Sequence, residues 1–164
     1  IAEAMLKNDN QDMDWVVRLI SQVRSVRAEM NVPPSAKIPL LVKNAGEMEA
    51  EAVSAHGTLI MRLARLSALS LTHDDVPEGA AQDVLDSVTL ILPLAGVIDL
   101  DQEKARLEKE ISKLDADIRK YDGKLSNEGF LSKAPKAVIE EQKSRRQEAT
   151  QSREQIEEAL ARFT

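Results

Sequence analysis

The sequence predicts a small α+β domain followed by an antiparallel two-helix coiled-coil hairpin, a mainly α chain, and three observations carry that expectation. Apolar residues fall at Leu107, Ile111, Leu114, Ile118, Tyr121 and Leu125 with 4-3-4-3-4 spacing, the period that keeps one seam facing a partner helix. The run Leu125-Ser126-Asn127-Glu128-Gly129-Phe130 interrupts that pattern, and Pro135 opens a second long helical run to the end of the chain. Proline suits a first helical position because the N–H it lacks would have no partner there. Two long helices joined by a short turn must pack antiparallel. Before residue 100, short apolar runs alternate with helical periodicity, the pattern of a small α+β unit.

Taken in order, residues 12–30 read as a helix. Trp15, Val16, Leu19, Ile20, Val23, Val26 and Met30 follow the 3.6-residue period until Pro33-Pro34 stops it. Trp15 is expected in the core. Residues 37–43 (Lys-Ile-Pro-Leu-Leu-Val-Lys) are expected to form a strand, with Pro39 arguing for an edge position. Residues 47–66 are expected to be helical and broken or bent near His56-Gly57. Residues 67–72 form a second strand, 74–79 a turn or loop, and Val88-Thr89-Leu90-Ile91-Leu92 a third strand closed by Pro93. The sheet is expected to be mixed or antiparallel. Asp99 or Asp101 is a candidate N-cap for the first hairpin helix. The second hairpin helix allows two seams. One reads Val138, Gln142, Arg145, Ala149, Ser152, Ile156, Ala159, Phe163; the other reads Ile139, Gln142, Arg146, Ala149, Arg153, Ile156, Leu160, Phe163. Both have a polar middle, so the register stays open. At 1.5 Å per residue each helix is roughly 35–45 Å long.

Composition excludes several classes. The chain has 164 residues and a net charge of −6, with no cysteine, so there is no disulfide framework and no thiolate metal site. The imbalance is local: residues 1–100 carry 8 Lys+Arg against 14 Asp+Glu, and residues 101–164 carry 14 against 14. Contact with nucleic acid would therefore use local stripes rather than the whole surface. No apolar run approaches the ~20 residues of a membrane span, and no signal-peptide pattern is present. The expectation is a soluble cytoplasmic protein, and the initial Ile suggests a piece of a longer polypeptide.

No catalytic signature is present. The six glycines are scattered without a G-x-G or G-K-[ST] loop. His73-Asp74-Asp75 is a poor metal cage, because three adjacent loop residues cannot surround an ion. The segment itself is expected to have no catalytic site, no metal and no cofactor.

The charges of the hairpin are more informative. With Leu107 at heptad position d, the flanking e and g positions between residues 103 and 122 are Glu103, Glu108, Glu110, Asp115, Asp117 and Asp122, all acidic. Arg106, Lys113 and Lys120 recur every seven residues on an outer face, with Lys109 and Lys124 nearby; Lys136, Lys143, Arg146 and Arg153 make a basic line on the second helix. These stripes can contact an RNA backbone. Alternatively, Arg146 and Arg153 pair with the acids of the first helix, and the outer lysines only solvate the hairpin. Phe130 and Leu131 at the tip can stack on an exposed base pair or fold back to close the hairpin. Arg18, Arg24 and Arg27 lie off the apolar stripe of the first helix and either bind phosphates or solvate that face.

Three stretches together resemble the C-terminal region of bacterial valyl-tRNA synthetases. They are residues 20–34 (Ile-Ser-Gln-Val-Arg-Ser-Val-Arg-Ala-Glu-Met-Asn-Val-Pro-Pro), residues 92–100 (Leu-Pro-Leu-Ala-Gly-Val-Ile-Asp-Leu) running into 103–111 (Glu-Lys-Ala-Arg-Leu-Glu-Lys-Glu-Ile), and residues 125–135 (Leu-Ser-Asn-Glu-Gly-Phe-Leu-Ser-Lys-Ala-Pro). The resemblance covers nearly the whole chain. It implies that residues 1–34 end an anticodon-binding helical bundle, 35–100 form the α+β domain and 101–164 form a tRNA-binding arm. It implies a class I parent enzyme that joins valine to its tRNA with ATP. The His-Ile-Gly-His and Lys-Met-Ser-Lys-Ser signatures are absent here, which places the ATP-binding catalytic domain upstream. The implied partners are tRNA(Val), met at the elbow where its D and T loops join, and the rest of a monomeric synthetase. The candidate tRNA-binding residues are Arg106, Lys109, Lys113, Lys120, Lys124, Phe130, Lys133, Lys136, Lys143, Arg146 and Arg153, with Arg18, Arg24 and Arg27 as a secondary set. The alternative is a structural or protein-interaction coiled-coil arm with no RNA role.

Overall fold

A computed structural model describes residues 2–163, with side chains from residue 10 onward. The chain divides into two compact units: residues 1–100 with 162–164, and residues 101–161. Among the described residues no helix is long and apolar enough to cross a membrane.

The first unit opens with helix α1, Ala2–Glu29, which begins well before the expected residue 12. Its apolar stripe is the expected one: Trp15, Val16, Leu19, Ile20, Val23, Val26 and Met30 are all buried. The helix ends before the prolines act. Asn31 takes a left-handed φ of 57°. The Val32 N–H then reaches back to the Arg27 carbonyl (2.9 Å) and the Asn31 N–H to that of Ala28 (3.2 Å). This pair of bonds satisfies carbonyls that a helix C-terminus otherwise leaves open. Pro33 and Pro34 then prevent any continuation.

Strand β1, Ile38–Lys43, helix α2, Glu47–Leu63, and strand β2, Leu66–Thr72, follow. β1 and β2 pair in parallel, which requires a long crossover, and α2 supplies it. The bend in α2 is where His56-Gly57 predicts it: His56 leaves the helical region at φ −118°, ψ 16°. α2 packs against α1 and against β2.

Two expectations need correction. β1 is not an edge strand, because the sheet order is β2-β1-β4-β3 and both of its sides are paired. The register shift between Ile38 and Pro39 skips Ser67 of β2, and Pro39 is tolerated because it lies at the start of the strand, before pairing with β4 begins. On the other side, pairing with β4 involves only Leu41, Val42 and Lys43. The second correction is an additional strand. β3, Ala80–Leu85, forms an antiparallel hairpin with β4, Val88–Pro93. Its Ala-Ala-Gln-Asp run has little β propensity, since none of these side chains is branched or aromatic at Cβ. Burial of Ala80, Ala81 and Leu85 and the turn at Asp86 (φ 55°) specify it instead. The sheet is mixed, as expected, with Ile38, Leu40, Val42, Leu90, Ile91 and Leu92 fully buried.

The second unit is the expected helical hairpin. Helix α3, Leu100–Leu125, and helix α5, Lys136–Ala161, are its long members. The tip between them contains a short helix, α4, Glu128–Lys133, where the sequence suggested only a turn. Asn127 nucleates it: its side-chain oxygen accepts from the Gly129 N–H (3.0 Å) and the Phe130 N–H (3.3 Å), the usual service of an N-cap. Pro135 stands at the entrance to α5, its carbonyl accepting from Val138 and Ile139.

Candidate nucleic-acid interface

The hairpin decides between the two seams of its second helix. Val138, Arg145 and Ser152 are exposed, whereas Ile139, Arg146, Arg153 and Leu160 are half-buried beside the buried Gln142 and Ala149. The second seam therefore faces α3 through its middle, while toward the C-terminal end Ala159 of the first seam is buried as well. Two arginines occupy the middle of the second seam, and each reaches a carboxylate on α3. Arg153 Nε donates to Asp115 (2.5 Å) and its Nη1 to Glu157 (2.5 Å). Arg146 pairs with Asp122 through Nε, with Nη2 at 3.5 Å. Asp115 and Asp122 are one heptad apart, as are Arg146 and Arg153, so a single antiparallel register satisfies both pairs. Hydrogen bonds to these carboxylates hold both guanidiniums above their ordinary pKa.

The remaining candidates divide into tied and untied cations. Arg106 is held within its own helix by Glu103 and by Glu110 at 2.7 Å, and the hydrogen bond to Glu103 raises its pKa first. Lys143 lies 3.7 Å from Glu140. By contrast, Lys109, Lys113, Lys120 and Lys124 on α3, and Lys133 and Lys136 near the tip, are exposed. None of them has an ion pair among the described residues. An ammonium already in water, with no partner to give up, is the group that releases counterions when it meets a phosphate.

α3 also carries a face with no carboxylate. Between residues 105 and 123 its outward heptad positions b, c and f hold Arg106, Lys109, Lys113, Arg119 and Lys120, interleaved with Ala105, Ser112, Ala116 and Gly123. Arg119 is exposed and was missed in the sequence because it does not share the seven-residue spacing of Arg106, Lys113 and Lys120. The small residues leave room for another backbone to approach. All acids of α3 between 103 and 122 lie at the flanks of the seam, so the zero net charge of the hairpin conceals a basic side.

At the tip Phe130 is half-buried and Leu131 is exposed. In the secondary set, Arg24 and Arg27 line one hollow of the first unit and Arg18 does not. Arg18 pairs with Asp86 at 3.0 Å and Asp14 at 3.2 Å. Arg27 is only 6% exposed and donates to the carbonyls of Arg65 (3.1 Å), Pro33 (3.1 Å) and Ala36 (2.6 Å). Arg24 is exposed with no bonded partner among the described residues.

Comparison with known proteins agrees with this geometry. Residues 99–164 match the family model described as the valyl tRNA synthetase tRNA binding arm. The chain is 43% identical over 152 residues to a valine–tRNA ligase of Gluconobacter oxydans, covering 93% of this chain and 17% of that protein. It is 42% identical over 151 residues to a valine–tRNA ligase of Mesorhizobium japonicum, covering 92% and 16%. With a valine–tRNA ligase of Bradyrhizobium diazoefficiens it shares 41% over 152 residues, covering 93% and 16%. The chain thus spans about a sixth of the length of the curated relatives it matches.

Proposed function

Residues 99–164 belong to the valyl-tRNA synthetase tRNA-binding-arm family, and on that premise we propose that the hairpin grips the elbow of tRNA(Val), where the D and T loops meet, for a valine–tRNA ligase. The remainder of the ligase, a cytoplasmic monomer in this reading, binds ATP and valine and performs the aminoacylation. The residues of this chain supply binding energy and orientation rather than chemistry.

The observation that carries the reading is the carboxylate-free face of α3, on which Lys109, Lys113, Arg119 and Lys120 are exposed with no ion pair among the described residues. Such a face follows a phosphate backbone, and a folded RNA helix is recognised mostly by its shape and backbone. Arg146 and Arg153, committed to Asp122 and Asp115, maintain the hairpin on which that face is mounted. Lys124, Lys133 and Lys136 extend the contact toward the tip, where Phe130 and Leu131 offer an apolar surface to the RNA.

The test is charge reversal of Lys113 and Lys120 together in the ligase. The expected result is a raised KM for tRNA with kcat little changed, the mark of weakened ground-state binding. The salt dependence of tRNA affinity should flatten by about 1 to 2 in logarithmic slope, roughly 0.9 for each phosphate no longer neutralised. Unchanged KM, affinity and slope would sink the RNA role and leave a protein-interaction arm as the better reading.

A further inference from the structure

A second basic surface lies on the α+β unit and shares no residue with the basic face of α3. α1 and α2 end side by side, and Arg24, Arg27, Arg62 and Arg65 line an open hollow of about 480 Å³ between them. Arg62 and Arg65 also border an adjoining hollow with Lys37. Five of the eight cations in residues 1–100 therefore gather in one place. No carboxylate lines either hollow. In a unit with 14 acids this segregation is the opposite of what a solvated surface of mixed charge gives.

Part of the cluster is structural. Arg27 spends its donors on three carbonyls, and Arg65 donates to the Pro34 carbonyl. These bonds satisfy backbone oxygens but leave the charges uncompensated. Burial, and then the neighbouring Arg65, push the Arg27 guanidinium below its ordinary pKa. Arg24 and Arg62 are exposed and make no hydrogen bond or ion pair among the described residues. Two planar forks with free donors, backed by two further positive charges, suit bidentate capture of a phosphate.

We propose that Arg24, Arg62 and Arg65, with Lys37, form a second phosphate-binding surface that takes the sugar-phosphate backbone of an RNA. Two adjoining open hollows sharing Arg62 and Arg65 fit a polymer passing over the surface. A small phosphorylated ligand is more commonly held in an enclosed cradle of backbone N–H groups, and both hollows here are open. The site is independent of the hairpin and does not rest on its role.

The test uses the full 164-residue chain carrying Arg24→Gln and Arg62→Gln together, neither of which breaks an internal bond. Affinity for a tRNA(Val) transcript is measured across a salt series, and the arginine Nε resonances are followed by NMR during titration with that transcript and with inorganic phosphate. The expected result is a five- to tenfold loss of tRNA affinity at unchanged thermal stability, with the logarithmic salt slope smaller by about 1 to 2. Unchanged affinity and slope overturn the proposal and leave the cluster as a cap for two helix ends. Resonance shifts with inorganic phosphate, but no loss of tRNA affinity, overturn the RNA assignment in favour of a small phosphorylated ligand. The Lys113→Glu, Lys120→Glu chain is run in parallel: if it binds tRNA normally while the arginine variant does not, the hairpin reading fails and this site stands.

Discussion

Replacing Gln142 by Leu should stabilise the hairpin. Gln142 sits at an inward position of α5, is 8% exposed, and its Oε1 is buried with no hydrogen-bond partner among the described residues. Leaving such an acceptor unpaired costs about 1–3 kcal/mol. Leucine removes that cost and adds apolar burial worth up to about 1.5–3 kcal/mol, from which an imperfect branched fit subtracts up to about 1.5 kcal/mol. The net expectation is a gain of at least about 1 kcal/mol. Guanidinium unfolding followed by circular dichroism gives the change. Amide exchange along α5 assigns it to the hairpin, because a chain of two units need not unfold in one step. A Gln142→Leu hairpin no more stable than the wild type would refute the reasoning.

Three other outcomes follow from named contacts. Arg27→Lys keeps the charge but not the fork that joins the Arg65, Pro33 and Ala36 carbonyls, so it should cost the first unit about 1–3 kcal/mol in chemical denaturation. Asn127→Ala should cost about 1 kcal/mol at the tip, seen as faster amide exchange at Gly129 and Phe130. The hydrogen bond from Arg18 holds the Asp86 carboxyl below the usual carboxylate range. Its contribution is therefore complete above the ordinary aspartate pKa and is lost as pH falls through the lower folded-state value. Asp86→Asn should flatten the acid limb of the stability profile and leave the neutral plateau lower.

The sequence by itself determined every element whose pattern is set by local periodicity. The heptads of α3, the 3.6-residue stripe of α1, the bend at His56 and the entry of α5 at Pro135 depend on residues a few positions apart, so they are legible without a partner. The three stretches that carry the family resemblance are equally local. Tertiary structure decided what depends on a distant neighbour. β3 exists because β4 pairs with it and the core buries its alanines, not because Ala-Ala-Gln-Asp prefers a strand. Pro39 lies in a central strand because β4 pairs with that strand only from Leu41 onward, and where a neighbouring strand starts pairing is a property of two strands. The seam of α5, polar in either frame, was settled only when Asp115 and Asp122 met Arg153 and Arg146 across the hairpin. The same pairing sorted the basic residues into those tied within the hairpin and those without an ion pair among the described residues. Arg24 and Arg62, 38 positions apart, became neighbours only because α1 and α2 end together. Charge is written in the sequence, but whether a charge is already neutralised depends on which carboxylates the fold brings within reach.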